Sequence, residues 1–368
     1  MPNNIADSAP FLYARHASAS FNARMESWLS GMSAAVRKAM GENLVALVLG
    51  GGYGRGEGGI LRVGPDERPY NDLDFVLIVQ RKGSLPWPEL NAIKHQYEKL
   101  IGIDVDYSRP LTVDDVRNWP PTLMWSDLLH GHRVLDGPSD ILTANAPEMP
   151  SERLAPIEAT RLLLNRGAGL LWAQRILRGC EPAPDPDFIR RNYYKCALAL
   201  GDALLISHGR FATPYTDRNQ RLAQLLGEGL RGDSPLPFAF DLQTLYDDAL
   251  RFKFWPGEFP STPLSAQLDE LARRWGDVFL YIEGRRAHCA WRGAREYADS
   301  NDLREPEQNA IGQWPRNVVK NRRFGLWSLR YPREGLYREL PILLGLCETV
   351  PDWPDRSARF LTIWKQVN

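Results

Sequence analysis

The sequence predicts an α+β chain whose strands lie in residues 1–150 and whose remainder, 151–368, is all helical. Three observations predict it. Apolar runs of strand length, 44–49 and 73–79, are bounded by turn residues. Before and after them, apolar residues recur at helical spacing. After Pro147-Glu148-Met149-Pro150 the strand-like runs stop, and proline-rich breaks separate one helical pattern from the next.

The elements follow in order. Phe21, Met25, Trp28, Leu29, Met32 and Val36 make one helical face over 18–40, and Gly41 stops it. The run 44–49 is the first strand. Gly64-Pro65-Asp66 marks 58–70 as an irregular excursion or short hairpin. The second strand is 73–79. Leu90, Ile93, Tyr97 and Leu100 share a face of a helix over 87–100. A third strand spans 101–107, and a short one at 133–135 ends at Asp136-Gly137. Helices are expected over 156–178, 187–208, 216–228, 239–252, 264–296, 335–349 and 355–366. In the fifth of these, Leu264, Leu268, Leu271, Val278 and Ile282 form a buried stripe. The domain boundary falls near residue 150, and the sequence has no internal repeat.

Composition narrows the function classes. With 368 residues, 43% of them hydrophobic and 24% charged, the chain has material for two globular domains and no disordered tract. Forty-five basic residues balance forty-five acidic ones, which argues against a dedicated nucleic-acid binder. Four cysteines, at 180, 196, 289 and 347, have neither metal-ligand nor redox spacing. The histidines are equally scattered; His130 and His132 alternate in a strand or turn with no further ligand at zinc-site spacing. The N-terminus has no charged-then-apolar signal pattern, and no apolar run approaches a membrane span, so the expected location is the cytoplasm.

The chemistry concentrates in one stretch. Gly51-Gly52-Tyr53-Gly54-Arg55-Gly56-Glu57-Gly58-Gly59 follows the first strand, and Asp72-Leu73-Asp74 opens the second. Six glycines among nine residues carry a large entropy cost for a mere turn. The letters contain G-x-G-x-x-G, but Gly58, Gly59, Gly64 and Pro65 oppose the helix that a dinucleotide fold needs there, and the acids begin their strand rather than end it. A P-loop needs Gly-Lys-Ser/Thr, which is absent. The remaining reading is backbone that approaches a triphosphate closely, with Arg55 adding a charge-assisted contact. Asp72 and Asp74, two residues apart, project to one side of a strand. Carboxylates that close repel unless a cation sits between them, and magnesium is the cation that bridges carboxylates to phosphates. A third acid comes from the next strand, where Asp104 and Asp106 share a face and either serves.

At these residues the sequence resembles the DNA polymerase β-like nucleotidyltransferase superfamily. Gly51-Gly52 looks like its first element, Tyr53-Gly54-Arg55-Gly56 is similar to the run in its small members, and Asp72-Leu73-Asp74 looks like its metal pair. Asp106 is the better match to the third acid, with Leu111-Thr112-Val113-Asp114-Asp115-Val116 following at about the usual distance, and Asp104 is the reserve. The resemblance covers roughly residues 40–137, and its one departure is a longer spacer between Gly52 and Asp72. It implies a mixed sheet flanked by helices, followed by a helical domain that helps to close the cleft. It further implies a nucleoside triphosphate as substrate and transfer of a nucleoside monophosphate to an acceptor hydroxyl with release of pyrophosphate, with Mg²⁺, as one ion or two, the expected cofactor. A helical domain of such enzymes often supplies a lysine to the triphosphate, for which Lys195 is the candidate.

The small neutral chain favours a small-molecule or protein acceptor, with ATP the expected donor. RNA ends are the alternative acceptor, reached through 314–333, where Arg316, Lys320, Arg322, Arg323, Arg330 and Arg333 alternate with Trp314, Phe324, Trp327 and Tyr331 and no acid intervenes. A nucleotide-binding regulatory module without catalysis is a further alternative, and a dinucleotide-dependent oxidoreductase a distant one.

Overall fold

The computed structural model describes residues 11–83, 85–230, 236, 238, 240–258, 265–302, 304–321, 330–346 and 350–367. The chain is a mixed α+β protein that divides into two compact units. One comprises Met1–Arg153, Ala212–Asp217 and Arg251–Phe259; the other comprises Leu154–Phe211, Arg218–Leu250 and Pro260–Asn368. A cut near residue 150 leaves the stretches 212–217 and 251–259 with the helical half, whereas both pack into the first unit.

The first unit is built on a four-stranded sheet. Helix α1 (Ala19–Met40) starts at Ser18, whose hydroxyl accepts the Phe21 N–H at 3.2 Å, and stops at Gly41. Strand β1 (Leu44–Leu49) leads into a four-residue helix, α2 (Gly51–Gly54). The hairpin β2 (Gly59–Val63) and β3 (Asp66–Tyr70) follows, and then β4 (Asp72–Val79), α3 (Trp87–Ile101) and β5 (Asp104–Tyr107). Short helices α4 (Val113–Arg117) and α5 (Leu123–His130) precede β6 (Arg133–Asp136). The sheet order is β5-β4-β1-β6; β1 runs antiparallel to β4 and β6, and β4 and β5 are parallel across the α3 crossover.

Alternation along the strands decides which side chains meet which helices. Leu47, Leu49, Leu73, Phe75, Leu77, Val79 and Val105 pack with the apolar residues of α1 and α3. On the opposite face Ala46, Val48, Val76 and Ile78 pack with Val116, Trp119, Ile141 and Leu142, and with Trp125, Leu128 and Leu129 of α5.

Three local departures from the sequence expectations have simple causes. The third strand begins at Asp104 rather than residue 101, because Ile101 completes α3 and Gly102, at φ 85°, caps it in the left-handed region. The expected helix 264–296 ends at Ala287; His288 takes φ 51°, and a separate helix covers 294–299. The helix expected over 335–349 ends at Pro341 and passes into one π-type turn containing Gly345 at φ 84°.

The second unit is helical. Its long helices are α6 (Ile157–Leu177), α7 (Phe188–Ser207), α8 (Tyr215–Leu230, from Arg218 onward), α9 (Leu242–Phe254, as far as Leu250) and α10 (Ser265–Ala287). Among the described residues there follow α11 (Ala294–Asp299), α12 (Trp314–Asn321), α13 (Arg333–Pro341) and α14 (Trp353–Val367). Among the described residues no helix is long and apolar enough to cross a membrane. A buried polar network ties α6, α11, α13 and the chain between them. Glu334 accepts the Arg304 and Glu305 N–H groups at 2.9 and 2.7 Å. Glu305 pairs with Arg161 and accepts the Tyr337 hydroxyl at 2.6 Å, with Arg333 3.4 Å away.

Glu305 makes the stability of this unit depend on pH. Burial raises its pKa, but the hydrogen bonds from Arg161 and Tyr337 and the nearby cations outweigh burial and leave it below the ordinary glutamate value. The stabilisation is therefore complete above the ordinary carboxylate range and lost as pH falls through the lowered folded value. Glu305→Gln should cost about 1–3 kcal/mol at neutral pH, because it removes the charged partner shared by the part-buried Arg161 and Arg333. Urea unfolding at a series of pH values should find that deficit shrinking in the acid window; a pH-independent deficit would assign it to packing.

Candidate active site

The glycine stretch continues β1. Gly50 donates its N–H to the Asp74 carbonyl at 2.8 Å, which extends the β1–β4 ladder by one rung. Gly51 then takes φ 61° and α2 begins. A Cβ on Gly51 would collide with the Asp74 carboxylate, so the missing side chain is what lets backbone and acid meet. Gly56 closes the loop at φ 75°. At Gly59, where a dinucleotide-binding fold would open its helix, strand β2 begins instead.

Tyr53 fastens this loop to the hairpin. Its buried hydroxyl donates to the Gly59 carbonyl at 2.7 Å and accepts the Tyr70 N–H at 2.8 Å. Burial, and after it the charge of Asp72, pushes this hydroxyl's pKa well above the ordinary tyrosine value. The long spacer between Gly52 and Asp72 is therefore an ordered hairpin, anchored at its base by the loop itself.

The acids follow from the register of β4 and β5. Asp72 lies opposite Asp104, Leu73 opposite Val105, and Asp74 opposite Asp106. Leu73 and Val105 are fully buried toward α1 and α3, so all four aspartates belong to the other face. Paired backbones in such a ladder are about 4.8 Å apart. The structure thus brings Asp72, Asp74 and Asp106 to one face, with Asp104 beside them. Their side chains have different neighbours. Asp74 lies against Gly51, Asp72 accepts a hydrogen bond from the Asn71 side-chain amide, and Asp106, 63% exposed, receives Lys94 Nζ at 3.2 Å. As the side chains stand, no three carboxylate, imidazole or thiol groups among the described residues are gathered closely enough to hold one metal ion. The donor set itself suits a hard divalent cation, since it is all carboxylate and spans two adjacent strands.

Arg55, the expected phosphate contact, is paired within the protein. Its side chain is only 11% exposed; Nη1 is 2.6 Å from Asp127 of α5, and Nε is 3.5 Å from Glu57. Glu57 is buried and accepts the Tyr215 N–H at 2.9 Å, at the first residue of α8. Arg55, Glu57 and Asp127 therefore bind the glycine loop to α5 and to the stretch 212–217.

A cation that sequence reasoning missed stands at the loop. Lys253 Nζ is 3.4 Å from the point where a Cβ on Gly52 would sit, and 4.7 Å from the centre of the Tyr215 ring. Its carbonyl passes so close to Gly59 that no side chain fits there. The flanking Phe252 and Phe254 are buried, the former edge-on to Tyr70 at 6.0 Å. Lys195 lies in α7 of the second unit, where its charge helps to lower the pKa of Asp185.

Other sequence candidates resolve as follows. His130 and His132 donate ring N–H groups to the backbone carbonyls of Ser126 and Leu128, as helix-end contacts of α5. In the basic segment, Arg333 is held by Glu305 and by the Val367 carbonyl at 2.8 Å, while Arg316 and Arg330 are exposed. The side chain of Lys320 and residues 322–329 lie outside the described residues, and so does Cys347. No family model matches the chain, and no curated protein matches it.

Gly51 offers a direct check of the loop geometry. Gly51→Ala should cost about 1–2 kcal/mol for the left-handed backbone alone, and more for the displaced Asp74 carboxylate. Denaturant unfolding that finds the variant as stable as the parent would contradict this packing.

Proposed function

We propose that this chain is a magnesium-dependent nucleotidyltransferase of the DNA polymerase β-like kind. It would move a nucleoside monophosphate from a nucleoside triphosphate, ATP by expectation, to a hydroxyl of a small molecule or protein. The observation that carries this reading is the pairing of Asp74 with Asp106 across parallel strands, beside glycine backbone that lies against Asp74.

In this reading Asp72, Asp74 and Asp106 hold the divalent ions. When bound, such ions neutralise the phosphate chain and stabilise charge on the attacking and leaving oxygens. The backbone of Gly51 and Gly52 gives the phosphates their close approach, and Lys253 adds a positive charge at Gly52. Arg55 braces the loop from behind through Asp127 and Glu57. The acceptor oxygen bonds to the α-phosphorus, the bond from that phosphorus to the β-phosphate oxygen breaks, and pyrophosphate leaves. Asp106 is the acid suited to take the acceptor's proton, because it lies on the edge strand, is well exposed and is paired with Lys94, a long side chain that can give way.

A second reading has one observation in its favour. Asp106 is turned to Lys94, and the acids are not gathered into a metal-binding group, which is compatible with a module that binds nucleotide and performs no transfer.

Two measurements test these readings. Each nucleoside triphosphate with Mg²⁺ should raise the melting temperature, and α-labelled triphosphate should leave label on an acceptor. Asp72→Asn with Asp74→Asn should reduce transfer at least about 100-fold with the fold retained. A melting rise without transfer selects the regulatory module; a rise with a nicotinamide cofactor alone discards both. Lys253→Ala should raise KM for the triphosphate about 10-fold, the value of one charge-assisted contact, with little change in kcat. The same assay on Lys195→Ala decides whether the helical unit contributes a cation as well.

A further inference from the structure

We infer that Asn71 is a positioning residue that aims the Asp72 carboxylate, an inference that rests on the metal-binding reading of Asp72. Asn71 is the single residue between the end of β3 at Tyr70 and the start of β4 at Asp72. It takes φ 82°, and among the described residues only His288 and Asp352 are other non-glycine residues with positive φ. Asparagine is one of the few residue types that tolerate this region.

The turn at Asn71 has fixed ends. On one side Tyr53 accepts the Tyr70 N–H, and the Tyr70 ring packs edge-on to Phe252. On the other side β4 is locked between β1 and β5 by Leu73 and Phe75, both buried. The whole change of chain direction therefore falls on Asn71. In that conformation its side-chain amide reaches forward and donates to an oxygen of Asp72. One oxygen of Asp72 is thereby engaged, the carboxylate rotamer is fixed, and the other oxygen remains for a ligand. Residues that hold the carboxylates of a metal site in this way commonly contribute about 10- to 100-fold to metal affinity.

Two roles of Asn71 separate by substitution. Glycine accepts φ 82° and lacks the amide; alanine lacks the amide and resists the backbone. Mn²⁺ binding, followed by electron paramagnetic resonance on the full chain without nucleotide, and thermal melting read the two roles independently. Asn71→Gly should melt close to the parent yet bind Mn²⁺ about 10-fold more weakly. Asn71→Ala should lose affinity to a similar extent and melt lower as well. Parent-like Mn²⁺ affinity in Asn71→Gly overturns this inference and leaves the metal site standing, since a backbone role alone is then sufficient. A parent chain that binds no Mn²⁺ overturns the metal reading and this inference with it.

Discussion

The site depends on the register of β4. Leu73, Phe75, Leu77 and Val79 face α1 and α3, while Val76 and Ile78 face the opposite layer, so β4 is apolar on both sides along most of its length. Only at its first two alternate positions does the second face turn acidic, with Asp72 and Asp74. A slip of one residue would drive both carboxylates into the layer under α1 and α3 and expel Leu73 and Phe75. Each of those side chains gains about 1.5–3 kcal/mol by burial, and an unpaired buried carboxylate costs several more. The position of the acids is therefore inherited from core packing, and the parallel pairing with β5 carries it over to Asp104 and Asp106.

The glycine loop is held by a different kind of force. Glu57, Arg55 and Asp127 form a sparsely solvated ionic chain, and a break in such a chain would leave a charge unpaired in a poorly hydrated place. Apolar residues would stabilise the loop comparably but would not fix its direction, because hydrophobic contact is not directional. Here the direction matters. Glu57 meets the first N–H of α8, Arg55 lies 5.6 Å from the Tyr215 ring centre, and the same ring carries Lys253. The loop thus gathers three stretches that are far apart in the chain: 51–59, 212–217 and 251–259.

Much of this was legible in the sequence where the signal was local. Strand β1 and helices α1 and α3 follow their apolar spacing to within a residue, and Gly64-Pro65 marks the hairpin turn. Period-two alternation puts Asp72 with Asp74, and Asp104 with Asp106, on one face of each strand; that the two pairs share a face comes from the β4–β5 register, which the sequence does not show. The residues that escaped depend on distant partners. Arg55 reads as a phosphate contact when only its glycine neighbours are visible, yet its partner Asp127 is 72 positions away. Lys253 stands in a helical segment whose pattern, Arg251-Phe252-Lys253-Phe254, gives no sign that its end packs on Gly59. Helices α4 and α5 escaped because they are 5 and 8 residues long, too short for an apolar stripe; only the capping box from Thr112 to Asp115 marks the first.

Four carboxylates on one face of two adjacent strands are a burden to a chain without a cation. Their repulsion opposes folding unless something nearby offsets it. The chain does so piecemeal: an amide for Asp72 from Asn71, a lysine for Asp106 from α3, and glycine backbone against Asp74. These supports differ in kind. The amide and the glycine backbone are built into turns that the core enforces. Lys94 is a long side chain that also lies 3.6 Å from Glu98 and can move to it at little cost. The arrangement is thus rigid at the acids next to the glycine loop and yielding at Asp106. Under the proposed transfer reaction, which would hold phosphate firmly and admit a second reactant, that division has a use, with the firm half set by the backbone and the yielding half by an exposed ion pair.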